Sequence, residues 1–363
     1  MNAIESIESI GDIQQLVLSG FRDWRRYGHV SIKTQGDLIL FNYNTMAMIE
    51  AKWNFFERVS RGLILNMKTG EVVARGFDKF FNWLEGGRKA HGHIVTVTEK
   101  LDGSLAILYR MDHGYRIATR GAFDSEQAQW ASAFLNAHYD LTGLDDSLTL
   151  IFEIIYPENR IVVDYQGRED LVLLAARNRH TGDYLPFFPD VYTLGTHYGF
   201  TLPKVYPFVE IRHILELTGS LDADAEGYVV EYSDGSRWKF KGDRYLELQR
   251  LLNGLTFRNT LRAISGGSVQ HIFDTIPDEF LAEVREWVHE IEARVAQVKA
   301  QVEALYAQAP KGSRKDFALW VRANALDYSP YLFAMIDNLP IEPLIYRMVD
   351  FGHHDEAGGG GEN

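Results

Sequence analysis

The chain has 363 residues, of which 46% are hydrophobic and 24% charged, and its formal net charge is −13. This length predicts two domains, and the composition excludes a disordered chain. The sequence contains no cysteine, which excludes a disulfide scaffold, a thiolate nucleophile, a cysteine-ligated zinc and an iron–sulfur cluster. The acidic balance argues against a generally basic surface for nucleic acid, so a polyanion would have to meet positive charge concentrated in one cleft.

The N-terminal residues have no basic region followed by an apolar one, which is the pattern of a secretory signal. No window approaches the roughly 18 uninterrupted apolar residues that a membrane helix needs. We therefore expect no contact with a membrane and a soluble, intracellular protein in the cytoplasm.

Short alternating or apolar runs separated by Gly, Asp and Asn predict strands joined by turns from Val30 to about Tyr245. The predicted strands include residues 95–98, 105–109, 148–156, 160–165, 171–175 and 228–232. A helix is predicted around residues 13–24 and another over residues 125–138, with Asp124 or Ser125 as its N-cap. This pattern predicts the α+β fold class, with an N-terminal domain over residues 1–245 built on antiparallel sheets.

After Tyr245 the apolar residues recur at helical spacing, which predicts an all-helical C-terminal domain over residues 246–355. The stripe from Leu281 to Leu305, with spacings of three and four, predicts one face of a long helix. This stripe could be a coiled-coil seam for dimerisation or the core stripe of a helical domain, and the core stripe is the simpler interpretation. Further helices are predicted over residues 246–261, 315–325 and 332–348, and the glycine-rich residues 356–363 predict a flexible tail.

Lys100 is the candidate nucleophile, because Lys100-Leu101-Asp102-Gly103 lies between two strand-like runs. A free lysine amine has a pKa of about 10.4, so it attacks only where burial or neighbouring cations lower that value. Lys-x-Asp-Gly alone is a weak signal, and the alternative is a hairpin turn flanked by exposed charges. The functional interpretation therefore requires other positive groups close to Lys100.

A second hairpin supplies such groups, because Asp234-Gly235 lies between two alternating runs. A two-residue turn there would pair Tyr228 with Lys241. Since side chains alternate along a strand, Glu226, Tyr228, Lys239 and Lys241 would share one face of the hairpin. That face would be either the solvated side of an edge hairpin or the floor of a site that holds two ammonium groups.

Glu153 lies in the middle of the apolar run over residues 148–156. Burial of an unpaired carboxylate is costly, so this side chain is expected to face a cation, a metal or a ligand hydroxyl group. A structural ion pair is the alternative. Arg61, Lys79 and Arg120 are further cations beside glycines or aromatic residues, and each of them alone would be surface charge or local packing.

In this order, these pieces resemble the covalent nucleotidyltransferases and most closely the phage-type RNA ligase 1 family. Four superfamily motifs resemble Lys100-Leu101-Asp102-Gly103, Phe152-Glu153, Glu226-Gly227-Tyr228-Val229-Val230 and Lys239-Phe240-Lys241. Segments that resemble the narrower family are Phe41-Asn42-Tyr43-Asn44, Arg61-Gly62, Lys79-Phe80-Phe81-Asn82, Arg120-Gly121 and residues 157–162. The resemblance runs from about Phe41 to Tyr245 and does not reach the helical remainder.

The resemblance implies an adenylyltransferase domain over residues 1–245, with ATP as the AMP donor and Mg²⁺ as the metal ion. Lys100 would form a lysyl–AMP intermediate, AMP would pass to the 5′-phosphate of an RNA, and a 3′-hydroxyl group would displace it. The implied binding residues are Lys239 and Lys241 at the α-phosphate, Arg61 and Lys79 at the β- and γ-phosphates, Arg120 at a phosphate, Glu153 and Glu226 at the ribose or the metal, and Tyr43 at the nucleotide.

The partners implied by the resemblance are RNA ends that carry a 5′-phosphate and a 3′-hydroxyl group, with a cleaved tRNA as the biological substrate. The chain contains no Walker-type Gly-x-x-x-x-Gly-Lys-Ser/Thr loop, so an end-healing kinase/phosphatase would act in trans. RNA repair is the implied process, and the resemblance also allows a phage-encoded protein.

Three other interpretations compete with an RNA ligase. A non-catalytic RNA-binding protein could retain the fold, although the motif lysines are intact. A DNA ligase or a GTP-using capping guanylyltransferase fits less well, because the segment from Lys79 to Asn82 and the helical C-terminus differ from their pattern. A metal hydrolase built on His353-His354 is disfavoured, because these residues lie in a polar terminal segment.

Overall fold

The computed structural model describes residues 6–83, 85–111, 114–276 and 280–348. The chain divides into two compact units, Met1–Leu252 and Asn253–Asn363. The boundary falls after Leu252 rather than after Tyr245, because the helix that contains Tyr245 packs in the first unit against Val162 and Val163. The His353-His354 pair and the predicted tail lie outside the described residues.

The first unit mixes helices with three four-stranded sheets, as the sequence predicted. Its strands are β1 Val30–Gln35, β2 Leu38–Tyr43, β3 Arg61–Asn66, β4 Val72–Ala74, β5 Phe81–Asn82, β6 Ile94–Lys100, β7 Ser104–Met111, β8 Gly114–Thr119, β9 Leu148–Ile155, β10 Asp170–Asn178, β11 Gly227–Tyr232 and β12 Arg237–Lys241. The strand orders are β1-β2-β3-β4 in the first sheet, β10-β9-β7-β8 in the second and β5-β12-β11-β6 in the third. The pairs are antiparallel except for the short β5–β12 pair.

The helices of the first unit cover the sheets. They are α1 Ile10–Leu18, α2 Thr45–Glu50, α3 Phe55–Val59, α4 Glu126–His138, α5 Tyr192–Tyr198, α6 Ile211–Gly219 and α7 Asp243–Leu252. The predicted N-cap of α4 is confirmed, since the Ser125 hydroxyl accepts a hydrogen bond from the N–H of Ala128. The first helix starts earlier than predicted, because Ser9 and Asp12 form a capping box. It ends before Gly20, whose φ is +88°.

One predicted strand is wrong. Residues 160–165 form no strand, although the sequence alternates there. The N–H groups of Val162 and Val163 both donate to Oδ2 of Asp102, each over 2.8 Å. Successive N–H groups of a strand point in opposite directions, so two neighbours that share one acceptor cannot continue a ladder.

The regular secondary structure that the second unit shows among its described residues is all helical. Its helices are α8 Phe257–Ser265, α9 Val269–Thr275, α10 Leu281–Gln308, α11 Arg314–Asn324, α12 Ser329–Ile336 and α13 Glu342–Met348. Four residues of the predicted stripe, Ile291, Val295, Val298 and Val302, are buried in a hydrophobic core with residues of α8, α11, α12 and α13. The stripe is therefore a core stripe of this unit.

Two predicted helices are each broken into two. The helix expected over residues 246–261 ends with α7, and α8 begins after Thr256, whose hydroxyl caps it. Gly254 between them has a φ of +59°, which a helix does not allow. The helix expected over residues 332–348 is interrupted at Asn338, which has a φ of +54°, and by Pro340. Among the described residues, no helix is both long enough and apolar enough to cross a membrane.

Candidate active site

A cavity of about 540 Å³ lies between the second and third sheets, where the chain passes from one to the other. Strand β6 of the third sheet ends at Lys100, and β7 of the second sheet begins at Ser104. Both ends of this connection and the connection itself contribute to the cavity wall. The predicted nucleophile therefore lies where side chains from two sheets converge.

The strand register of the third sheet forms one wall of this cavity. Gly227 of β11 lies opposite Lys100 on one side and Lys241 on the other. Two residues further along, Val229 lies between Thr98 and Lys239. Since residues two apart share a face, Lys100, Lys239 and Lys241 lie on the same side of the sheet. The two lysines predicted to share one face of the hairpin thus lie on the same side of the sheet as Lys100.

The hairpin register differs from the prediction by one residue, because its loop has three residues rather than two. The N–H of Tyr232 donates to the carbonyl of Ser236 over 2.9 Å, and Gly235 has a φ of +78°. This is the geometry of a type I turn followed by a left-handed residue. The shift moves Tyr228 to the apolar face with Phe240, its cross-strand partner, and away from Lys239.

Glu226 nevertheless reaches the lysines, because the backbone is irregular at the start of β11. Gly227 has a φ of +148°, and a Cβ atom there would lie 1.8 Å from the carbonyl oxygen of Phe240. Only glycine allows this close approach. The Glu226 carboxylate, whose side chain is 3% exposed, lies 2.6 Å from Nζ of Lys100 and 2.9 Å from Nζ of Lys241. One carboxylate oxygen, Oε1, is therefore shared by two ammonium groups.

Asp102, which the sequence motif contains without indicating a separate role for it, fixes the connection after Lys100. Its Oδ2 accepts the two N–H groups of residues 162 and 163, and its Oδ1 accepts the hydroxyl of Tyr245 over 2.8 Å. Its own N–H donates to the hydroxyl of Tyr165 over 2.8 Å. Asp102 is 3% exposed, so the alternative of a hairpin with exposed charges is wrong. The sequence pattern of residues 160–165, which bind Asp102, predicted a strand and therefore did not reveal this contact.

The next residue, Gly103, allows the connection after Lys100 to pass close to β9. A Cβ atom there would lie 2.4 Å from the carbonyl oxygen of Ile154 and 3.1 Å from Cγ of Glu153. The absence of a side chain at Gly103 thus brings β9 and its carboxylate close to the connection that follows Lys100.

Glu153 lines the cavity from the second sheet, as expected for a carboxylate in an apolar strand. Burial raises the pKa of Glu153 to about 8; the positive charge of Lys100 opposes this rise, and the negative charge of Glu226 adds to it. In the part of the chain that the structure describes, no Lys or Arg forms an ion pair with Glu153 within 4.0 Å. The alternative of a structural ion pair is therefore not present among the described residues, and the carboxyl group faces the cavity.

Three predicted phosphate-binding residues, Arg61, Arg120 and Lys239, line the same cavity. The buried Nη1 of Arg61 has no hydrogen-bond partner among the described residues, so it can donate to a ligand oxygen. Arg120 donates from Nη1 to the hydroxyl of Tyr43 over 2.9 Å. Arg237 also lines the cavity, so its wall combines five cationic side chains with three carboxyl groups, those of Glu99, Glu153 and Glu231.

Lys79 and Tyr43 do not line this cavity. Glu226 and Lys241 do not line it either, although Glu226 is paired with Lys100 at its wall. The Nζ of Lys79 lies over the rings of Tyr43, Trp53 and Phe81, at 5.6, 4.9 and 5.5 Å from their centroids. Lys79 is 4% exposed and contributes to a second cavity instead. The sequence could not indicate this aromatic enclosure, because its three rings come from separate segments of the chain.

The predicted metal ligands, Glu153 and Glu226, come from different strands. Among residues 6–83, 85–111, 114–276 and 280–348, no group of three or more His, Asp or Glu side chains is arranged to hold a metal ion. Mg²⁺ commonly binds one or two carboxylates together with water and substrate phosphates. Glu153 fits such a site, since its carboxyl group faces the cavity, whereas an oxygen of Glu226 is already held by two lysines.

The chain is similar to several known ligases. A protein of Autographa californica nuclear polyhedrosis virus, named bifunctional polynucleotide kinase/RNA ligase, is 31% identical over 250 residues, which cover 60% of this chain and 34% of the relative. An RNA ligase of Thermovibrio ammonificans is 30% identical over 191 residues, which cover 50% of this chain and 48% of the relative. The chain thus spans about a third and about half of the lengths of these relatives.

A solved structure of a Naegleria gruberi RNA ligase with ATP and Mn matches 44% of this chain and 52% of that chain, with 23% identity and a TM-score of 0.35. A family model described as RNA ligase matches residues 59–245, which is just over half of the chain. This range contains Lys100, Glu153, Glu226, Lys239 and Lys241. The chain belongs to this phage-type RNA ligase family.

Proposed function

We propose that the chain is an ATP-dependent RNA ligase that joins a 3′-hydroxyl end to a 5′-phosphate end through an AMP-carrying Lys100. The observation that carries this proposal is the position of Lys100. Its ammonium group lies beside Glu226 at the rim of a cavity that Arg61, Arg120 and Lys239 also line. The family to which the chain belongs supports the same activity.

In the first step, Nζ of Lys100 loses a proton and attacks the α-phosphorus of ATP. A nitrogen–phosphorus bond forms, the bond from the α-phosphorus to the bridging oxygen breaks, and pyrophosphate leaves with the electron pair. The ion pair between Lys100 and Glu226 must open for this attack. Lys241 then keeps the carboxylate paired, because it lies 2.9 Å from the same oxygen.

Charge develops on the phosphate oxygens during each transfer, so fixed cations lower the barrier. Lys239 and Lys241 are proposed to contact the α-phosphate. Arg61 suits a phosphate oxygen because its buried Nη1 has no other acceptor among the described residues. Mg²⁺ would neutralise charge on the phosphates and on the leaving pyrophosphate. Glu153, in its deprotonated form, would hold the ion together with phosphate oxygens and water.

In the second step, an oxygen of an RNA 5′-phosphate attacks the lysyl–AMP, the nitrogen–phosphorus bond breaks, and Lys100 recovers a proton. In the third step, an RNA 3′-hydroxyl oxygen loses its proton, attacks the 5′-phosphate and expels AMP. Arg120 is proposed to bind phosphate in one of these steps. Its guanidinium group is positioned by the hydroxyl of Tyr43, which gives Tyr43 an indirect contact with the site.

We infer that the protein acts in RNA repair, with a cleaved tRNA as the substrate and an end-healing kinase/phosphatase as a partner in trans. The name of the viral relative joins a polynucleotide kinase to an RNA ligase, which supports the pairing of the two activities. Ends left with a 5′-hydroxyl group would need such healing before sealing, because the second step consumes a 5′-phosphate.

The test is incubation with Mg²⁺ and ATP labelled on the α-phosphate, followed by denaturing electrophoresis and mapping of the labelled residue. We expect label on Lys100, none from GTP, and release of the label by 5′-phosphorylated RNA. Lys100→Ala should take up no label yet still seal RNA that is already adenylylated. Lys239→Ala is the matched control, because it removes a lysine from the same cavity. It should slow labelling, and the label should still be found on Lys100.

Three results would contradict the proposal. The absence of label on a folded, nucleotide-free preparation would remove the covalent mechanism and favour the RNA-binding alternative. Label on another lysine would reject Lys100 as the AMP carrier. Labelling by GTP in place of ATP would instead favour a capping-type guanylyltransferase.

A further inference from the structure

A second cavity of about 540 Å³ in the first unit is lined by an excess of cations, and we call it the basic pocket. Its positively charged residues are Arg58, Lys79, Arg88, Lys89 and Arg237. Asp78 is its one lining carboxylate, and both oxygens of Asp78 accept hydrogen bonds from Arg177, over 2.8 and 3.0 Å. The carboxylate of Asp78 is thus already paired with Arg177, which does not line the basic pocket.

This concentration of cations runs against the composition of the chain, which has 37 Lys and Arg residues against 50 Asp and Glu residues. Arg58 and Lys89 are exposed to solvent at the basic pocket, so they can meet an anion without rearrangement of the core. A cleft with like charges raises the local concentration of an oppositely charged ligand. The ligand of the basic pocket is therefore expected to be anionic.

Aromatic rings form a large part of the remaining wall, beside His91, Gly235 and Ser236, and they distinguish the ligand from a simple phosphate. Six rings line the basic pocket, and they come from Trp53, Phe77, Phe80, Phe81, Tyr184 and Trp238. The guanidinium group of Arg88 lies 4.1 Å from the ring centroid of Phe81, and that of Arg237 lies 4.0 Å from that of Tyr184. Cations that contact phosphates, together with rings that contact bases, are the features that bind single-stranded nucleic acid.

The basic pocket adjoins the cavity of Lys100, because Phe77, Phe80 and Arg237 line both. We propose that the basic pocket binds a nucleotide of the single-stranded RNA end that reacts in the cavity of Lys100. Its phosphate contacts Arg58 and Lys89, and its base lies against the aromatic wall. The identity of the strand as RNA rests on the proposed function, whereas the binding of a single strand rests on the basic pocket itself.

The test compares the binding of a fluorescent, 5′-phosphorylated single-stranded RNA by the full chain and by Arg58→Glu/Lys89→Glu. The matched control is Arg25→Glu/Lys33→Glu, which makes the same change in net charge at exposed positions outside the basic pocket. We expect the first variant to bind RNA about tenfold more weakly or worse. The slope of log affinity against log salt should also fall by about 0.7, since one neutralised single-strand phosphate contributes about 0.7 and both cations contact the same phosphate.

Self-adenylylation by the same variants separates this proposal from the proposed function. We expect unchanged labelling by ATP and an unchanged KM for ATP in Arg58→Glu/Lys89→Glu. A raised KM for ATP with intact RNA binding would assign the basic pocket to the phosphates of ATP and overturn the proposal. Failure of the unchanged protein to label would reject the ligase mechanism, while the RNA affinities would still decide what the basic pocket binds.

Two further outcomes would overturn the proposal. Equal RNA affinities for the two double variants would show that charge at the basic pocket does not matter. Equal binding of duplex RNA and single-stranded RNA of the same length, with the same loss in the variant, would exclude a base in the pocket. Arg58→Gln/Lys89→Gln, which only neutralises the charges, replaces the first variant if thermal unfolding shows that charge reversal disturbs the fold.

Discussion

The ammonium group of Lys100 is paired with Glu226, and Lys241 binds the same carboxylate oxygen. Two cations around one buried carboxylate leave a net positive charge in a buried position. Loss of the proton from Lys100 leaves one cation and one anion, so the buried charge changes from net positive to neutral. Glu226 thus has a structural reason to be present whether or not it also contacts ribose.

Glu153 is an example of a site residue that costs stability. Its pKa of about 8 in the fold exceeds the usual value of 4.5, because burial disfavours the carboxylate. Between these two values the folded chain keeps a proton that the unfolded chain has lost. The free energy of unfolding therefore falls as the pH rises from about 4.5 to about 8, and this contribution is fully present only below that window.

Glu153→Gln should remove this pH dependence. We expect its free energy of unfolding, relative to that of the unchanged protein, to increase from pH 5 to pH 8 by at most a few kcal/mol, since each pKa unit corresponds to about 1.4 kcal/mol. Urea unfolding at the two pH values measures the difference, with Glu158→Gln at an exposed position as the control. The same relative free energy of unfolding at both pH values would show that burial does not raise the pKa of Glu153.

The same substitution should impair self-adenylylation, because it removes the carboxylate that the proposed mechanism assigns to the metal. The variant would then be more stable at pH 8 and less active, which is the usual trade-off at a strained site.

At the scale of elements, the third sheet depends on the irregular start of β11. Gly227 lies between Lys100 and Lys241, and its φ of +148° turns Glu226 toward both. A regular strand would direct residue 226 to the opposite face, with Tyr228. The backbone conformation of Gly227 thus places the Glu226 carboxylate on the face of the sheet that carries the two lysines.

Gly227→Ala should destabilise the protein and disrupt the lysine pair. A Cβ atom 1.8 Å from the carbonyl oxygen of Phe240 forces β11 and β12 apart, and we expect a loss of about 3 kcal/mol or more. Self-adenylylation of the folded fraction should fall sharply. Thermal unfolding and labelling by α-labelled ATP measure the two effects.

Gly235→Ala serves as the control for this substitution. Gly235 also has a positive φ, of +78°, but no heavy atom beyond its chain neighbours lies within 4 Å of a Cβ at that position. It should therefore cost only about 1 kcal/mol, the usual cost of left-handed backbone, and leave labelling intact. Equal effects of both substitutions would mean that backbone strain, and not the clash with β12, determines the result at Gly227.

At the scale of the whole molecule, each unit has its own hydrophobic core. The first unit has cores on its sheets, such as the one in which α1 covers β2 and β3, and the second has the core of α8 and α10 to α13. All the candidate site residues lie in the first unit. Leu251 and Leu252, the last residues of the first unit, are each 67% exposed. Ending the chain after Leu252 therefore does not expose either of these two side chains from a buried position.

A chain that ends at Leu252 should therefore fold and self-adenylylate at a rate close to that of the full chain. Circular dichroism and labelling by α-labelled ATP measure these two properties, with Lys100→Ala in the same shortened chain as the control. Loss of labelling in a folded, shortened chain would mean that the second unit contributes to the nucleotide reaction.

The sequence alone predicted the elements whose signals are local. Alternation predicted β6, β7, β9, β10 and β11, the serine cap predicted α4, and the spacing of the apolar stripe predicted α10. The motif order identified the family and the set of lysines, because these residues lie within short segments. Hydrophobic period and capping depend on neighbours within a few residues, so no tertiary contact was needed for them.

Only the tertiary structure decided features that join distant segments. The hairpin register depended on a three-residue turn, and residues 160–165 were not a strand because Asp102 holds their N–H groups. Lys79 lies outside the main cavity because rings from three segments enclose it. Each result depends on contacts between residues far apart in the chain. The energies of such contacts outweigh the local preference for helix or strand, which is all that the hydrophobic period of the sequence indicates.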